Sequence, residues 1–390
     1  MKILYIQHTG DFAEAYDRLI AKGGKENYYG QKYSVNAVVQ QARSGIEVMI
    51  LVLITSEHKR IDLEKNLTSI SLDDETFSYK LIQDEILAFS PDAVILRTPD
   101  HKILNFLRKH SIDTFPVFAD SFEKIPPWSV RRQFRKLLLA RELKDKSIKW
   151  VANHQINASR SIQNLGVSAD KILPYDWEHE DNPSNWHKDI PSDLCEKEIA
   201  IFYAGQIYHD KGIFDLIYAL KYIRDSGRKF SLKIAGKGQT ELIEKLSHDL
   251  QLSENIQVLG LIDHEDVLKN MNQADVVVVP SHHCYPEGLP MTIMEGLMVH
   301  TPVIASDHPM FVGRVGLRGS VVFFREKNSK DLSEKILSIC SDLDQYRQMS
   351  SNASLEWLDL NLELKWEKMI NNWICDSDFD FSQYTLRHFN

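Results

Sequence analysis

The stretch PEGLPMTIMEGLMVHTPVIAS, from Pro286 to Ser306, indicates the fold more clearly than any other part of the chain. It follows ADVVVVPS (274–281), a run of small β-branched residues typical of a buried parallel strand, and it ends in PVIAS, which predicts the next strand. Between them the sequence predicts a loop and then a helix with Pro290 at its first position, where the missing N–H of proline would have no partner anyway. Glu287 then lies just before the helix and Glu295 within it. Such a β-loop-α-β unit predicts a ligand site at the carboxyl end of a parallel strand.

The composition indicates a globular chain that is long enough for two domains. Of its 390 residues, 43% are hydrophobic and 26% charged, and the net charge of −9 argues against general nucleic-acid binding. No apolar run approaches the roughly 20 residues of a membrane-spanning helix, and the N-terminus is more typical of a buried strand than of a signal peptide. The four cysteines are scattered, and no His or Cys cluster has metal-ligand spacing. We therefore expect a cytoplasmic protein that uses no metal and no cofactor.

Strand and helix patterns alternate along the chain in two series. The first series predicts an N-terminal Rossmann-like domain over residues 1–180, and the second a C-terminal one over residues 195–360. A polar segment with two prolines, 177–198, lies between the series and predicts a linker. Residues 361–390 predict a final helix and a tail, which we expect to pack back on the N-terminal domain. Because this alternation favours parallel sheets, we expect an α/β fold with two doubly wound domains facing each other across a ligand-binding cleft.

Two glutamates and a lysine are the strongest candidates for ligand binding in the second series. The first N–H groups of the helix after Pro290 have no internal partners, and such a helix end attracts phosphate. A carboxylate fits beside a phosphate when it accepts from a hydroxyl, so Glu287 and Glu295 are predicted to hold sugars, one a hexose and the other a ribose. Lys211, in the turn after the strand AIFYAG, can reach a phosphate as a point charge. The alternative is that the glutamates only favour the helix dipole and that Lys211 is an ordinary surface lysine.

Glycines occur in two further loops that are predicted to face the ligand. Gly23 and Gly24 lie in the first β–α loop, where the lack of a Cβ lets the backbone approach a ligand. The segment GKG (236–238) follows a strand, although the closing glycine of a dinucleotide-binding fingerprint is missing. A polar loop and an ordinary turn are the alternatives for these two segments.

Three segments together, FYAGQIYHDKG (202–212), LKIAGKG (232–238) and VVPSHHCYPEGLPMTIMEGLMVHTPVIAS (278–306), resemble family 4 of the retaining, nucleotide-sugar-dependent glycosyltransferases with the GT-B fold. The distinctive element is the E-x7-E pair, Glu287 and Glu295. The resemblance covers the second half of the chain well and the layout of the first half. It implies an enzyme that moves a hexose-type sugar from a nucleotide-diphosphate sugar to a hydroxyl of a glycan or lipid-linked acceptor. It further implies retention of configuration, independence of metals, and a place in bacterial surface polysaccharide or glycolipid synthesis.

The resemblance also implies roles for individual residues of the second half. Glu287 would contact the donor sugar, Glu295 the ribose and Lys211 a phosphate. The loop and the first helical turn would line the diphosphate and the sugar, chiefly through backbone amides, with the residues Gly288, Leu289, Pro290, Met291 and Thr292. Gln206 stands where the family usually has an Arg, and it can donate a hydrogen bond without a charge.

In the first half the resemblance is carried by fewer residues. After the strand FPVFAD the family often has a His-Asp pair, and here the residues are Ala119 and Asp120. We therefore predict that Asp120 touches the donor sugar or the acceptor, and no catalytic histidine is transferred. The catalytic candidates are Glu287, Lys211 and Asp120, and the Gly23–Gly24 loop joins the donor-binding set.

A basic segment in the first half is a separate signal. Residues 122–149 contain nine Lys and Arg against three acidic residues, in a chain of net charge −9, and apolar residues recur there at helical spacing. A basic amphipathic helix can lie on an anionic membrane surface, which would place the protein at the inner face of the membrane. The residues proposed for this contact are Trp128, Arg131, Arg132, Arg135 and Lys136. The alternative is a solvated face on a core helix.

Two other functions are compatible with the same architecture. One is a sugar-nucleotide epimerase, although the spacing of Glu287 and Glu295 is not typical of that chemistry. The other is a non-catalytic subunit that binds a nucleotide sugar or a glycan, which Gln206 and Ala119 favour. The sequence leaves open whether the nucleotide is UDP, GDP or ADP. Two D-x-D patterns at 376–380 lie in the C-terminal tail, away from the sheet edge at which such a motif binds a metal-nucleotide.

Overall fold

A computed structural model describes residues 1–8, 10–26, 30–73, 75–122 and 129–389. The chain divides into two compact units, and the first takes its described residues from 1–26, 30–178 and 362–389. The second unit contains residues 179–361, so most of the segment predicted as a linker belongs to it.

Each unit is built on one sheet with helices between the strands. The strands are β1 (Lys2–Gln7), β2 (Glu47–Val52), β3 (Lys59–Glu64), β4 (Leu67–Ser71), β5 (Ala93–Arg97), β6 (Asp113–Phe118), β7 (Val151–His154), β8 (Ile172–Tyr175), β9 (Ile199–Ala204), β10 (Phe230–Ala235), β11 (Ile256–Gly260), β12 (Val276–Val279), β13 (Val303–Ser306) and β14 (Val321–Phe324). The helices are α1 (Phe12–Tyr16), α2 (Gln31–Arg43), α3 (Tyr79–Phe89), α4 (His101–Lys109), α5 (Val130–Lys144), α6 (Ile156–Gln163), α7 (Ile213–Asp225), α8 (Thr240–Asp249), α9 (His264–Gln273), α10 (Met291–Met298), α11 (Ser329–Ile339), α12 (Leu343–Leu360) and α13 (Trp366–Cys375).

The sheet of the first unit has eight strands in the order β3-β4-β2-β1-β5-β6-β7-β8. Neighbouring strands run parallel except β3 and β4, which are antiparallel. The parallel sheet that the alternation predicts therefore has one antiparallel pair, at this edge. The sequence of β3, KRIDLE, is polar and largely exposed, and charged edge strands of this kind hinder pairing with other chains.

The sheet of the second unit has six strands in the order β11-β10-β9-β12-β13-β14, and all of its pairs are parallel. Near its centre, β12 is a run of four valines. All four are buried, so both faces of this strand are covered. Helix α10 packs close to this sheet, because a Cβ at Gly296 would lie 2.8 Å from Val303 Cγ2. The β-loop-α-β unit predicted around residues 274–306 is confirmed.

The predictions for single elements differ from the structure at two places. Pro290 was expected as the first helical residue, but its ψ of 128° is extended, so it precedes the helix and α10 begins at Met291. The polar segment after β1 was expected to be a loop, but it contains α1 and a π-helical turn, Asp17–Ala21. The side chain of Asp11 caps α1 by accepting from the Glu14 N–H, a local signal that the polar composition obscured.

The four cysteines are unpaired. Across the described ranges, none of the helices has both the length and the apolar content needed to span a membrane.

Candidate functional site

The loop between β12 and α10 holds a buried carboxylate, Glu287, with two donors on one oxygen. Glu287 Oε1 lies 2.5 Å from Lys211 Nζ and accepts a hydrogen bond of 2.6 Å from the Ser281 hydroxyl. The side chains of Glu287 and Lys211 are only 8% and 16% exposed, so this ion pair is shielded from water. The structure thus brings together two of the residues that the sequence singled out, and it adds Ser281, which the sequence did not indicate.

Lys211 reaches this carboxylate because the loop after β9 passes directly against the end of β12. The loop contains a 3-10 turn, His209–Lys211, and then Gly212 with a φ of +71°, after which α7 begins. A Cβ at Gly212 would lie 1.9 Å from the carbonyl oxygen of Pro280. Only a glycine permits both this conformation and this contact. Lys211 Nζ also lies 4.3 Å from the centre of the Tyr285 ring, a cation–π contact that holds the ammonium from a second side.

Gln206 joins the same two loops. Its side-chain oxygen accepts from the Tyr285 hydroxyl at 3.2 Å, and its backbone oxygen accepts from the Tyr203 hydroxyl at 2.6 Å. Burial, followed by the negative charge of Glu287, raises the pKa of Tyr203, so this hydroxyl stays protonated and donates. The amide nitrogen of Gln206 can donate a hydrogen bond to a ligand. An arginine at this position would donate hydrogen bonds and add a positive charge.

A neutral histidine holds the backbone of Tyr285 in place. His308 Nε2 donates to the Tyr285 carbonyl oxygen at 3.1 Å, while His308 Nδ1 accepts from the Met310 N–H at 3.2 Å. These two contacts fix one tautomer of the uncharged ring. Burial lowers the pKa of His308, in agreement with that form. No sequence pattern indicated this histidine, because it follows β13 and reaches the loop only in the folded unit.

Glu295, on the buried face of α10, has a partner that the sequence analysis missed. Its Oε1 lies 2.7 Å from Nε2 of His264, the first residue of α9, and the two side chains are 7% and 14% exposed. Helix α9 follows β11, which ends at the same edge of the sheet as β12. The position of His264 after a parallel strand was therefore the signal that could have identified it.

The N-terminus of α10 is the polar backbone element of this site. In the described part of the chain, no side chain caps it, and Ile293 N–H bonds to the Pro290 carbonyl. The loop residues before it, Gly288 and Leu289, are buried, and Thr292 Oγ1 lies 3.4 Å from the Ala204 carbonyl. The amides of the first turn give this end a partial positive charge.

The GKG segment contacts another loop of the protein. A Cβ at Gly236, whose φ is +152°, would lie 1.8 Å from the Gly205 carbonyl oxygen. The backbone approach that was predicted toward a ligand is thus an approach between the turns after β9 and β10.

The remaining donor and catalytic candidates belong to the first unit. Asp120 is exposed two residues beyond the end of β6, and its backbone oxygen accepts from Asn153 Nδ2 at 3.0 Å. Gly24 N–H donates to the Arg18 carbonyl just after the π-helical turn, and Gly23 precedes it with a φ of +61°. The roles proposed for Asp120, Gly23 and Gly24 stay predictions.

Helix α5 contains most of the predicted membrane-surface residues. Its apolar side chains Val130, Phe134 and Leu137 lie on one face and are 70%, 60% and 68% exposed. The candidates Arg131, Arg132 and Arg135 are exposed beside them, whereas Lys136 is half-buried and donates to the Phe122 carbonyl at 2.9 Å. Trp128 lies outside the described residues.

Comparison with known proteins agrees with this architecture. Residues 185–356 match the family described as glycosyl transferases group 1. A Campylobacter jejuni N,N'-diacetylbacillosaminyl-diphospho-undecaprenol alpha-1,3-N-acetylgalactosaminyltransferase is 25% identical over 197 residues, which are 50% of this chain and 49% of that protein. The capsular polysaccharide biosynthesis glycosyltransferase CapM of Staphylococcus aureus is 30% identical over 150 residues, 38% of each chain. The chain thus spans half or less of the length of these relatives.

Solved structures show the fold over nearly the whole chain. Sucrose-phosphate synthase from Thermosynechococcus elongatus superposes with a TM-score of 0.67 at 15% identity, over 96% of this chain and 98% of that one. Anabaena HepE in complex with UDP-glucose superposes with a TM-score of 0.63 at 15% identity, over 97% and 99%. The chain has the GT-B fold. The family match covers residues 185–356, less than half of the chain, and the solved structures show the fold.

Proposed function

We propose that the protein is a retaining glycosyltransferase that moves a hexose-type sugar from a nucleotide-diphosphate sugar to a hydroxyl of a glycan or lipid-linked acceptor. One observation carries the proposal: the shielded pair of Lys211 and Glu287 beside the uncapped N-terminus of α10. A cation and free amides suit a diphosphate, and the adjacent carboxylate suits a sugar hydroxyl. The relatives named as polysaccharide glycosyltransferases and the neighbour crystallised with UDP-glucose support this reading.

In this proposal the donor lies across the N-terminus of α10. The amides of Gly288, Leu289, Met291 and Thr292 and the ammonium of Lys211 receive the diphosphate. An ammonium has three N–H donors, so Lys211 can bind a phosphate oxygen while it keeps Glu287. Glu287 Oε1 is occupied by two donors, and the same carboxylate can accept from a hydroxyl of the donor sugar through its other oxygen.

Glu295 and His264 would form the ribose end of the donor site. Glu295 Oε1 is held by His264, which orients the carboxylate so that Oε2 can accept from a ribose hydroxyl. Gln206 would donate to the diphosphate from the opposite loop. We keep UDP, GDP and ADP as candidate nucleotides, and bound UDP in HepE favours UDP as the first to test.

The reaction would proceed at the anomeric carbon. The acceptor hydroxyl forms a new bond to the anomeric carbon. The bond from this carbon to the diphosphate oxygen breaks, and its electron pair leaves with the diphosphate. Lys211 and the helix amides stabilise the charge that develops there, and the departing phosphate oxygen takes the proton of the acceptor. Glu287 holds the sugar in place, and Asp120 would contact the acceptor or the donor sugar. No metal is assigned to the diphosphate in this scheme.

Transfer from labelled nucleotide sugars tests the proposal. Thermal stabilisation by UDP, GDP and ADP first selects the nucleotide, because a ligand of the folded state raises Tm. With the matching donor, we expect Lys211→Met to lower the transfer rate about 100- to 1,000-fold, as removal of a charge-stabilising donor does. Lys221→Met is the matched control, since Lys221 pairs with Asp225 on the exposed side of α7. Conversion of the donor to its epimer without an acceptor would instead identify an epimerase.

A non-catalytic nucleotide-sugar or glycan-binding subunit is the second candidate, and Gln206 favours it because a neutral amide supplies no charge to a leaving diphosphate. The Gln206→Arg variant separates the two functions. If the native protein binds donors but neither hydrolyses nor transfers the sugar with any acceptor tested, the transferase proposal fails. Activity that appears only in Gln206→Arg would identify the native chain as a binding subunit.

We further propose that α5 contacts an anionic membrane at the cytoplasmic face. Phe134 and Leu137 would enter the interface, while Arg131, Arg132 and Arg135 would meet lipid headgroups. The native protein should sediment with phosphatidylglycerol vesicles. Substitution of the three arginines by Ser, or of Phe134 and Leu137 by Ser, should reduce that binding.

Ser substitutions at Leu355 and Leu358 provide the control for vesicle binding. These leucines are 48% and 58% exposed on α12, in the second unit. Their replacement should leave vesicle binding unchanged. Equal losses in the α5 and α12 variants, or no vesicle binding by the native protein, would contradict the membrane proposal.

A further inference from the structure

Three side chains with metal-ligating atoms meet next to the site, although the sequence shows no metal-ligand spacing. His209 and Asp210 lie in the 3-10 turn after β9, and His282 lies in the loop after β12. One ligand atom from each of the three lies within 4.8 Å of the other two. Folding brings together ligands that are about seventy residues apart in the chain, so the spacing of residues in the sequence could not indicate this cluster.

His282 is prepared as a ligand in a way that an ordinary buried histidine is not. The residue is 1% exposed, and its Nε2 lies 2.6 Å from Asp215 Oδ2 on α7. A carboxylate at that distance accepts a hydrogen bond from Nε2–H, so the proton stays on Nε2 and Nδ1 has a lone pair. Within the described ranges, His282 Nδ1 is buried and has no hydrogen-bond partner. A buried acceptor without a donor is unfavourable, and a cation would satisfy it.

The other two side chains give a cation access from solvent. The side chains of His209 and Asp210 are 72% and 58% exposed, and the His209 ring packs edge-to-face on His282 with centroids 5.1 Å apart. The cluster therefore borders solvent through these two side chains. Two imidazoles and one carboxylate suit Zn²⁺ and its neighbours among the divalent transition metals, and three protein ligands leave a position for water.

We propose that His209, Asp210 and His282 bind one divalent transition-metal ion, with Asp215 as the carboxylate that orients His282. The ion would join the turn that carries Lys211 to the loop that carries Glu287. These two segments already share a bond of 2.9 Å from His282 N–H to the Asp210 carbonyl. The ion is a positioning element beside the donor site and takes no part in breaking the sugar–phosphate bond. Metal binding does not depend on the proposed transfer reaction.

The test uses the full chain after treatment with EDTA and dialysis. Calorimetric titration with ZnCl₂ should give one saturable equivalent, and CoCl₂ should give the absorption bands of a four- or five-coordinate Co²⁺ ion. Saturation should also raise Tm. The His282→Ala variant should lose the Co²⁺ bands, and Asp215→Asn should lower affinity about 10- to 100-fold, as loss of an orienting carboxylate does.

Two variants at the surface keep the test decisive if His282→Ala fails to fold. His209→Ala removes an exposed ligand without disturbing the core and should abolish the bands. His187→Ala removes an exposed histidine that lies 3.2 Å from Asp189, and it should leave binding unchanged. The proposal is overturned if the native chain shows no saturable equivalent, if His209→Ala binds normally, or if His187→Ala removes the binding.

Discussion

Glu287 shows how much of this site depends on a single carboxylate. Its Oε1 accepts from both Lys211 and Ser281 in a place where the side chain is 8% exposed. An ion pair taken out of water gains little over apolar residues of the same size, but loss of one partner leaves the other charge buried. The pair therefore matters more for the geometry of the two loops than for the overall stability of the unit.

Removal of one partner of this pair should be far more harmful than removal of both. We expect Lys211→Met to lower the free energy of unfolding by about 3–5 kcal/mol, because Glu287 stays buried without its cation. The double variant Lys211→Met/Glu287→Leu should recover most of that loss. Urea denaturation of the two single variants and the double variant gives the coupling energy.

The control for this double-mutant cycle is Lys221→Met, on helix α7, ten residues after Lys211. Its partner Asp225 is 46% exposed and Lys221 is 45% exposed, so the change should stay within about 1 kcal/mol. If Lys211→Met costs no more than Lys221→Met, the Lys211–Glu287 pair is not shielded in the way the structure describes.

The Glu295–His264 pair leads to a prediction about nucleotide binding. Glu295→Gln keeps the shape of the side chain but removes its charge, so a nucleoside diphosphate should bind about 10- to 100-fold more weakly, or about 1.4–2.8 kcal/mol, within the range of a charged hydrogen bond. His264→Ala should give a smaller loss, since it acts through the carboxylate. Isothermal titration with UDP, GDP and ADP measures both.

Glu265→Gln is the matched variant for this titration, because Glu265 lies next to His264 but forms an exposed pair with Lys269. It should bind nucleotide like the native protein. Unchanged affinity in Glu295→Gln would rule out the ribose contact.

At this scale the sequence predicted residues that follow parallel strands and missed those that support them. Lys211, Glu287 and Glu295 were singled out because they lie in a turn after a predicted strand or at the helix after Pro290, and their roles stay predictions. Ser281, His264 and His308 were not, because each acquires its role only through a partner from another loop. Periodicity and spacing in the sequence cannot indicate such a partner, because contacts between loops exist only in the folded protein.

At the scale of elements, the site depends on a close contact between the loops after β9 and β12. Gly212 lets the backbone of one loop touch Pro280 at the end of the other strand. Lys211 is the preceding residue, so the contact fixes how far its ammonium lies from Glu287. The sheet order places β9 beside β12, which is why two loops separated by about seventy residues meet at one candidate site.

A methyl group at Gly212 should therefore separate these loops. Gly212→Ala combines a φ of +71° with a Cβ 1.9 Å from a carbonyl oxygen, whereas Gly227→Ala has a φ of +83° and open space around its Cβ. The second variant measures the conformational penalty alone, about 1–2 kcal/mol. We expect Gly212→Ala to lower the free energy of unfolding by clearly more than that and to weaken nucleotide binding. Similar losses in both variants, measured by urea denaturation, would contradict the contact.

Elements with a strong pattern were predicted closely, and weak ones were not. The strands predicted in ADVVVVPS and PVIAS are β12 and β13, because a short, continuous apolar run leaves little freedom. The β3–β4 hairpin was missed because its edge strand is mostly charged, with only Ile61 and Leu63 apolar. Helix α1 was missed because five residues are too few to give a period.

At the scale of the whole molecule, the last segment of the chain completes the first unit. Lys365 Nζ lies 3.0 Å from Asp176 Oδ2, a carboxylate that is fully buried, and Trp366 N–H bonds to the Asp176 carbonyl. The Trp366 ring stacks on Trp177 with centroids 5.6 Å apart. The chain thus leaves the first unit after residue 178, forms the second, and returns at residue 362.

Two tryptophans nine residues apart should therefore report on different units. Trp366 is 0% exposed in the core of the first unit, and Trp357 is 5% exposed in the core of the second. Each Trp→Ala change should lower stability by about 3–5 kcal/mol, as large-to-small substitutions in a packed core do. Hydrogen exchange should become faster in β1 but not in β12 for Trp366→Ala, and in β12 but not in β1 for Trp357→Ala. Equal acceleration in both strands by either variant would mean that the units unfold together, and that the boundary at residues 361 and 362 does not divide the chain energetically.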